Sequence, residues 1–339
     1  MTSRSGGFAN ESAESAESAE SAESAESAES AGLTAYAGRR TSPLLANALW
    51  TTHAEITRGL DWSTQHPVQL DVALTSDQAL SRWSPDVRSA QYVFEFVSGL
   101  SFSGTIAAVT HKPGPAQLAY GSGAATVTIS MAAPTYEATG ATAALKDAIE
   151  EVLDAASLRP DRMSEILTQV APPTAFFAMI LNLQPGRHRH TLELLATMFR
   201  LTTFATMQFK HHFRARRPAD RSVLVQPVLL TPGHGAYPAG HATQCFFVAN
   251  VLKALVGNAT ADIPGAGGTN DLPAQLDALA ARIAHNRVVA GLHYLEDNTA
   301  GQQLGIALAT YLLVRARVSG SAFYWLYERA RAEWGQPWP

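Results

Sequence analysis

The sequence predicts an all-α fold, a helical bundle interrupted by one small β-hairpin near 116–135. Three observations carry that expectation. Apolar residues recur at helical spacing along most of the chain beyond residue 43. Proline, glycine and capping residues punctuate those stretches where helices should start and stop. Strand-like alternation with β-branched residues is confined to one place, Ala125-Thr-Val-Thr-Ile-Ser-Met131. With 46% hydrophobic residues in 339, the chain can bury a sizeable core, which excludes collagen-like and wholly disordered classes.

In chain order, Glu-Ser-Ala repeats at a period of three from Glu11 to Ser30. Three residues advance a helix by about 300°, so the repeat has no apolar stripe to dock. Residues 1–32 read as a solvated, disordered acidic tail, and residues 33–339 as a single helical domain. Helices are expected over 43–60, with Ser42 and Pro43 at its start, and over 85–101. After the hairpin come Thr142–Leu158 and a segment opened by Pro160 and broken by Pro172-Pro173. The apolar run Ala175–Leu183 follows, then a long helix over Thr191–His212 with Leu192, Leu195, Met198, Leu201 and Phe204 or Ala205 inward. Residues 214–237 hold three prolines and two glycines and read as loop. A helix then runs from Gly240 to Val256, and a Gly-rich loop covers 257–270. Asp271 caps a helix bearing Leu272, Leu276, Leu279 and Ile283, and helices over 298–317 and 320–333 end the chain.

Composition narrows function. The net charge is −4, but residues 1–32 carry one Arg and seven Glu, so the body is near +2 and shows no broad nucleic-acid footprint. Cys245 is the only cysteine, which rules out a disulfide framework and Cys-rich metal sites. No apolar run reaches the ~18 residues of a membrane span. Without an evident signal peptide, a soluble, cytoplasmic protein is expected.

The notable polar residues fall at the loop-rich junctions of the C-terminal half. Lys210-His-His-Phe-Arg-Ala-Arg-Arg217-Pro218 places one of only four lysines seven residues before an Arg-Pro. By itself it also reads as a basic helix end. In His234-Gly-Ala-Tyr-Pro-Ala-Gly240-His241, loop becomes helix. Free N–H groups there suit an anion, glycine admits close approach, and His241 can act as acid or base. It also reads as an ordinary helix start. Asn286-Arg287-Val-Val-Ala-Gly-Leu-His293-Tyr-Leu-Glu-Asp297 puts His293 and Asp297 four apart. That predicts one helical face on which the carboxylate fixes the imidazole tautomer, or a plain surface pair.

Taken in order, Lys-x6-Arg-Pro, Pro-x-Gly-His and Arg-x5-His-x3-Asp resemble the three-part signature of one superfamily. It joins type 2 phosphatidic acid phosphatases, bacterial acid phosphatases and vanadium-dependent haloperoxidases. The likeness spans about 200–310, where it implies an oxyanion site in a bundle of the haloperoxidase/acid phosphatase type. Ala236-Tyr-Pro-Ala-Gly-His-Ala-Thr243 is most similar to the haloperoxidases, with His234 and the run from His241 to Gln244 resembling bromoperoxidases. One position departs: Ala239 stands where the family has serine, which removes a hydroxyl donor worth ~1.5–3 kcal/mol to a charged group.

The resemblance implies vanadate as cofactor, with phosphate able to compete. His293 would be the metal ligand, while Lys210, Arg217, Arg287 and the Gly240 amide hold the oxyanion. His241 would deprotonate hydrogen peroxide and Lys210 would polarise the bound peroxide. Asp297 would orient His293, and His234 would tune the halide side. The expected partners are hydrogen peroxide, halide (bromide or iodide) and a small organic acceptor; a homo-oligomer is expected by analogy alone. Two alternatives stay open: a soluble acid phosphatase in which His293 forms a phosphohistidine and His241 protonates the leaving group, and a degenerate oxyanion binder marked by Ala239.

Overall fold

The computed structural model describes residues 51–52, 54–56, 58, 74–106, 113–121, 127–257 and 272–335. Contacts divide the chain into Met1–Arg82 and Trp83–Pro339. In the first unit, 51–52 and 54–56 are helical within the expected 43–60 helix, and α1 spans Ser76–Arg82. The repeat tail, Ser42–Pro43, most of the Gly-rich 257–270 loop and Asp271 lie outside the described residues.

The second unit is the expected helical bundle with a small antiparallel sheet. Ser84 caps α2 (Pro85–Ser98) by accepting a hydrogen bond from the Val87 N–H, with Pro85 at the first helical position. The helix stops at Gly99, where a Cβ would run into the Tyr311 hydroxyl. Strand β1 therefore begins at Leu100, just inside the stretch expected to be helical. The hairpin is in fact a three-stranded meander of β1 (Leu100–Ile106), β2 (Pro113–Tyr120) and β3 (Val127–Met131). Phe102 pairs with Leu118 and Leu118 with Ile129. The first strand escapes a sequence reading because its Ser, Gly and Thr residues hide the alternation; its Phe102 packs edge-on against Phe209, 5.2 Å between centroids.

Then follow α3 (Thr142–Ala155), α4 (Arg159–Thr168), α5 (Thr174–Leu181), α6 (Arg189–Phe213), α7 (Gly240–Val256), α8 (Leu272–Val289), α9 (Leu295–Arg315) and α10 (Ala322–Ala332). Helix α7 is buried nearly all round, from Ala242 and Thr243 to Leu255 and Val256, as a central helix must be. It packs on α9, α8 and α6, most extensively on α9. Gly301 and Gly305 make that approach possible. A Cβ at Gly301 would lie 2.6 Å from the Ala239 carbonyl oxygen and 2.8 Å from the Ala242 Cβ. On α6, Leu195, Met198, Leu201 and Ala205 are buried as expected, Leu192 near the helix start is only half-buried, and Phe204 is 47% exposed, so the fourth turn turns Ala205 inward. Helices α2 and α10 cover α6 elsewhere, joined by the Arg88–Glu193 pair and the Tyr92–Phe323 contact.

Candidate oxyanion site

Three chain junctions converge at the start of α7. Lys210 lies in the last turn of α6, which ends at Arg214 in the left-handed region with φ 50°. The lysine is 2% exposed, and Nζ donates to the carbonyls of Gly235 (2.7 Å) and Ala236 (2.9 Å). Gly235 has to be small, because a Cβ would press to 3.2 Å from the Lys210 carbonyl and 3.3 Å from that of Ala215. The Ala236 N–H in turn donates to the Ala215 carbonyl at 2.9 Å, so the two loops are laced together.

Arg217 is 2% exposed and contacts three residues at once. Its Nη1 donates to the Leu292 carbonyl (2.8 Å) and faces His293 Nε2 (3.2 Å). Its Nη2 faces His234 Nδ1 at 3.1 Å, and Nε donates to the His234 carbonyl at 3.2 Å. A guanidinium can only donate, so His293 Nε2 and His234 Nδ1 are both acceptors here.

His293 sits elsewhere than the sequence spacing implied. It is not on a helical face with Asp297: α9 begins at Leu295 with Tyr294 as N-cap, so His293 lies in the loop before it. The carboxylate reaches back over the helix start instead. Asp297 Oδ2 accepts the Tyr294 N–H at 2.9 Å and is 3.0 Å from His293 Nδ1, while Oδ1 accepts the Tyr136 hydroxyl at 2.6 Å. A carboxylate facing Nδ1 makes that nitrogen the N–H, which leaves the Nε2 lone pair turned to Arg217. The turn that delivers His293 needs Gly291, whose φ is +82°. The Ala239 N–H donates to the Asp297 carbonyl at 2.9 Å, which ties the α7 start to the α9 start.

At the head of α7, the first intrahelical bond runs from the Thr243 N–H to the Ala239 carbonyl. The N–H groups of Gly240, His241 and Ala242 precede it, at the positive end of the helix dipole. Ala239 is fully buried as N-cap and offers no side-chain bond, and a Cβ on Gly240 would meet nothing within 4 Å. His241 Nε2 lies 2.8 Å from the Gln169 carbonyl, so Nε2 carries the proton and Nδ1 is the open base. Arg287, at the end of α8 and 1% exposed, donates from Nη2 to the Ile166 carbonyl (3.0 Å) and to Gln169 Oε1 (3.3 Å).

The electrostatics follow from burial of so many cations together. Burial first, then Arg217, holds Lys210 below the ordinary ammonium range, while Asp297 opposes the shift. Burial lowers Arg217 as well and takes Arg287 down to about 10. His241 is pushed down to about 4 by burial and then by Arg287, and His234 to about 4 by burial and then Lys210. His293 falls well below its usual value through burial, then Arg217 and Lys210. The Asp297 carboxyl rises, burial outweighing its hydrogen bonds from Tyr136 and Tyr294.

Lys210, Arg217, His234, His293 and Asp297 thus form one bonded cluster around Gly235–Ala236. His241 and Arg287 form a second, joined through Gln169. Three participants are invisible in the sequence reading: Gln169, Tyr136 and the Ile166 carbonyl. They lie far from the signature, on segments whose pattern reports helix or turn and nothing more. Beside the Lys210–Arg217–His234 edge opens a cleft of about 650 Å³, whose walls include His211, Arg214 and Arg216. Among the described residues no cluster of His, Cys, Asp and Glu suits a metal ion held by several protein ligands.

Residues 211–319 match a protein-family model described as the VCPO second helical-bundle domain. That match covers the Arg217, His241, Arg287 and His293 junctions. No curated protein matches the chain. Among solved structures, the first transmembrane PAP2-type phosphatidylglycerolphosphate phosphatase from Bacillus subtilis aligns at 18% identity and a TM-score of 0.37, covering 52% of this chain and 89% of that one. Among the described residues no helix is long and apolar enough to cross a membrane.

Proposed function

We propose that this protein is a vanadate-dependent haloperoxidase, oxidising bromide or iodide with hydrogen peroxide to hypohalous acid that halogenates a small organic acceptor. One observation carries the reading. Lys210, Arg217 and Arg287 are each at most 2% exposed, and among the described residues none has a carboxylate within ion-pair distance. An uncompensated buried charge costs several kcal/mol, so a pocket holding these cations is built for an anion. The signature's resemblance to the haloperoxidases, with the match of residues 211–319 to the VCPO second helical-bundle domain, supports reading that anion as vanadate.

The donor set suits a tetrahedral oxyanion. Arg287 Nε and Gln169 Nε2 are buried N–H donors with no partner, and the Gly240 side of the α7 start is open. Lys210, Arg217, Arg287 and the Gly240 N–H would hold the oxygens of the anion, and His293 Nε2 would be the protein's ligand to vanadium. When bound, vanadate supplies Lewis-acid activation of hydrogen peroxide without a change of redox state.

The chain's own contribution is orientation and proton handling. Asp297 keeps the proton of His293 on Nδ1, so Nε2 presents a lone pair. Gln169 keeps the proton of His241 on Nε2, so Nδ1 accepts a proton from peroxide. A histidine held down to about 4 is neutral at physiological pH, which suits a base better than a donor to a leaving group. The cationic walls of the adjoining cleft favour the approach of small anions such as halide.

The test is direct. Purified protein reconstituted with orthovanadate should brominate a phenolic dye in the presence of peroxide and bromide, and inorganic phosphate should inhibit competitively. Turnover of a phosphate monoester without peroxide-dependent bromination at any vanadate concentration would replace this reading with a phosphatase.

A further inference from the structure

Gln169, the residue that closes α4, is fully buried, and three of its polar groups bear on the site. Its backbone carbonyl takes the His241 Nε2 proton at 2.8 Å. Its side-chain Oε1 takes Asn286 Nδ2 at 3.0 Å and Arg287 Nη2 at 3.3 Å. These two donors fix the orientation of the amide, because turning it over would set N–H against N–H at both contacts. The Nε2 group is therefore committed to the other side, where it is buried and meets no acceptor.

Its neighbour repeats the pattern: Arg287 Nε is also buried without a partner. Two unmet donors on residues in mutual contact call for an acceptor, since each orphaned buried donor costs about 1–3 kcal/mol. The platform beneath them is firm. Asn286 donates to Glu165 Oε2 (2.9 Å) and accepts from Arg162 Nη1 (3.1 Å), and Glu165 holds Arg282 through both oxygens (2.8 and 2.6 Å). At the start of α7, two residues before His241, Ala239 has no hydroxyl to offer.

We propose that Gln169 is an oxyanion-binding residue of this protein: its side-chain N–H stands in for the hydroxyl absent at Ala239, while Oε1 positions Arg287. The inference rests on the oxyanion site proposed above. It does not depend on whether that site performs halide oxidation or phosphoryl transfer, because both need the same donors.

The experiment is calorimetric titration of the full, vanadate-free chain with orthovanadate and, separately, with inorganic phosphate. The proteins are wild type, Gln169→Leu, Gln169→Glu, Ala239→Ser and the Gln169→Leu/Ala239→Ser double variant. Gln169→Leu should weaken both ligands by ~10- to 100-fold, the value of a hydrogen bond to a charged group. Gln169→Glu should weaken them at least as far, because a carboxylate replaces the donor. The added serine should recover more affinity in the Gln169→Leu background than it gains in wild type, a non-additivity that a merely structural role would not produce.

A second readout guards against local unfolding. Leucine keeps the backbone carbonyl, so the His241 ring should retain its Nε2–H tautomer by nitrogen NMR. If Gln169→Leu does not fold, Gln169→Met carries the same comparison with an unbranched chain. Unchanged affinity in Gln169→Leu, or equal gains from serine in both backgrounds, overturns the role of Gln169 alone. Wild-type protein that binds neither oxyanion overturns the oxyanion site itself.

Discussion

Asp297 is the residue whose removal the structure values most. It is fully buried and accepts from three donors: the Tyr136 hydroxyl (2.6 Å), the Tyr294 N–H (2.9 Å) and His293 Nδ1 (3.0 Å). Asp297→Ala removes the acceptor of all three. At about 1–3 kcal/mol for each buried unmet donor, the loss is about 3–9 kcal/mol, toward the lower end if a water enters. Against the ~5–15 kcal/mol that holds a typical domain, this brings the protein near its unfolding limit.

Asp297→Asn should behave very differently. With its oxygen toward Tyr294 and His293, the amide keeps both of those donors satisfied, and its NH2 donates to the Tyr136 oxygen, so only the Tyr136 hydroxyl proton loses its acceptor. One orphaned donor, set against the loss of a charge whose burial is itself unfavourable, should cost about 1–3 kcal/mol. Urea unfolding at pH 7, followed by far-UV circular dichroism, separates the two variants by midpoint. Nitrogen NMR of His293 should still find Nδ1–H in the Asn protein. Equal destabilisation by Ala and Asn, or a cost below about 1 kcal/mol for Ala, would refute the three-donor account.

Two other outcomes follow from the same geometry. Gly301→Ala places a methyl 2.6 Å from the Ala239 carbonyl oxygen, so α9 must move off α7, at a cost of ~1–3 kcal/mol. Phosphate affinity should fall with it, whereas Gln303→Ala on the exposed face of α9 should leave both unchanged; intact affinity in Gly301→Ala would show that the helix crossing does not set the site. For pH, His234, His241 and His293 all titrate lower when folded than unfolded, so the unfolded chain binds more protons between about 4 and 6.5 and stability falls as pH drops through that window. Asp297, raised by burial to about 6, pulls the other way over most of the window but is one group against three. The urea midpoint should therefore be lower at pH 5 than at pH 7, and a higher one would refute the neutral-histidine assignment.

Much of this fold is legible in the sequence alone. The helix from Gly240 to Val256 has its expected ends, because a Pro-x-Gly start and a Gly257 stop are local chemistry. The inward stripe of α6 likewise follows from spacing alone, apart from the choice between Phe204 and Ala205, which depends on what lies opposite. Strand β1 was harder to see, since its pairing partner β2 lies beyond it in the chain and a Ser/Gly-rich segment gains its strand character from that partner.

At the site, the sequence by itself determined the chemical types: the lysine, the arginines, the Gly-His helix start and the His-Asp pair, all at junctions between helices. Tertiary structure decided how they meet. Asp297 reaches His293 over a helix start rather than along a helical face, Arg217 lies against His293 and His234, and Gln169 joins His241 to Arg287. Spacing along a chain reports only neighbours within a turn or two. The bonds that set these tautomers and hold these cations join residues separated by up to 161 positions, and they form only when α6, α8 and α9 pack around α7, and α4 on α8, so that these groups are buried together.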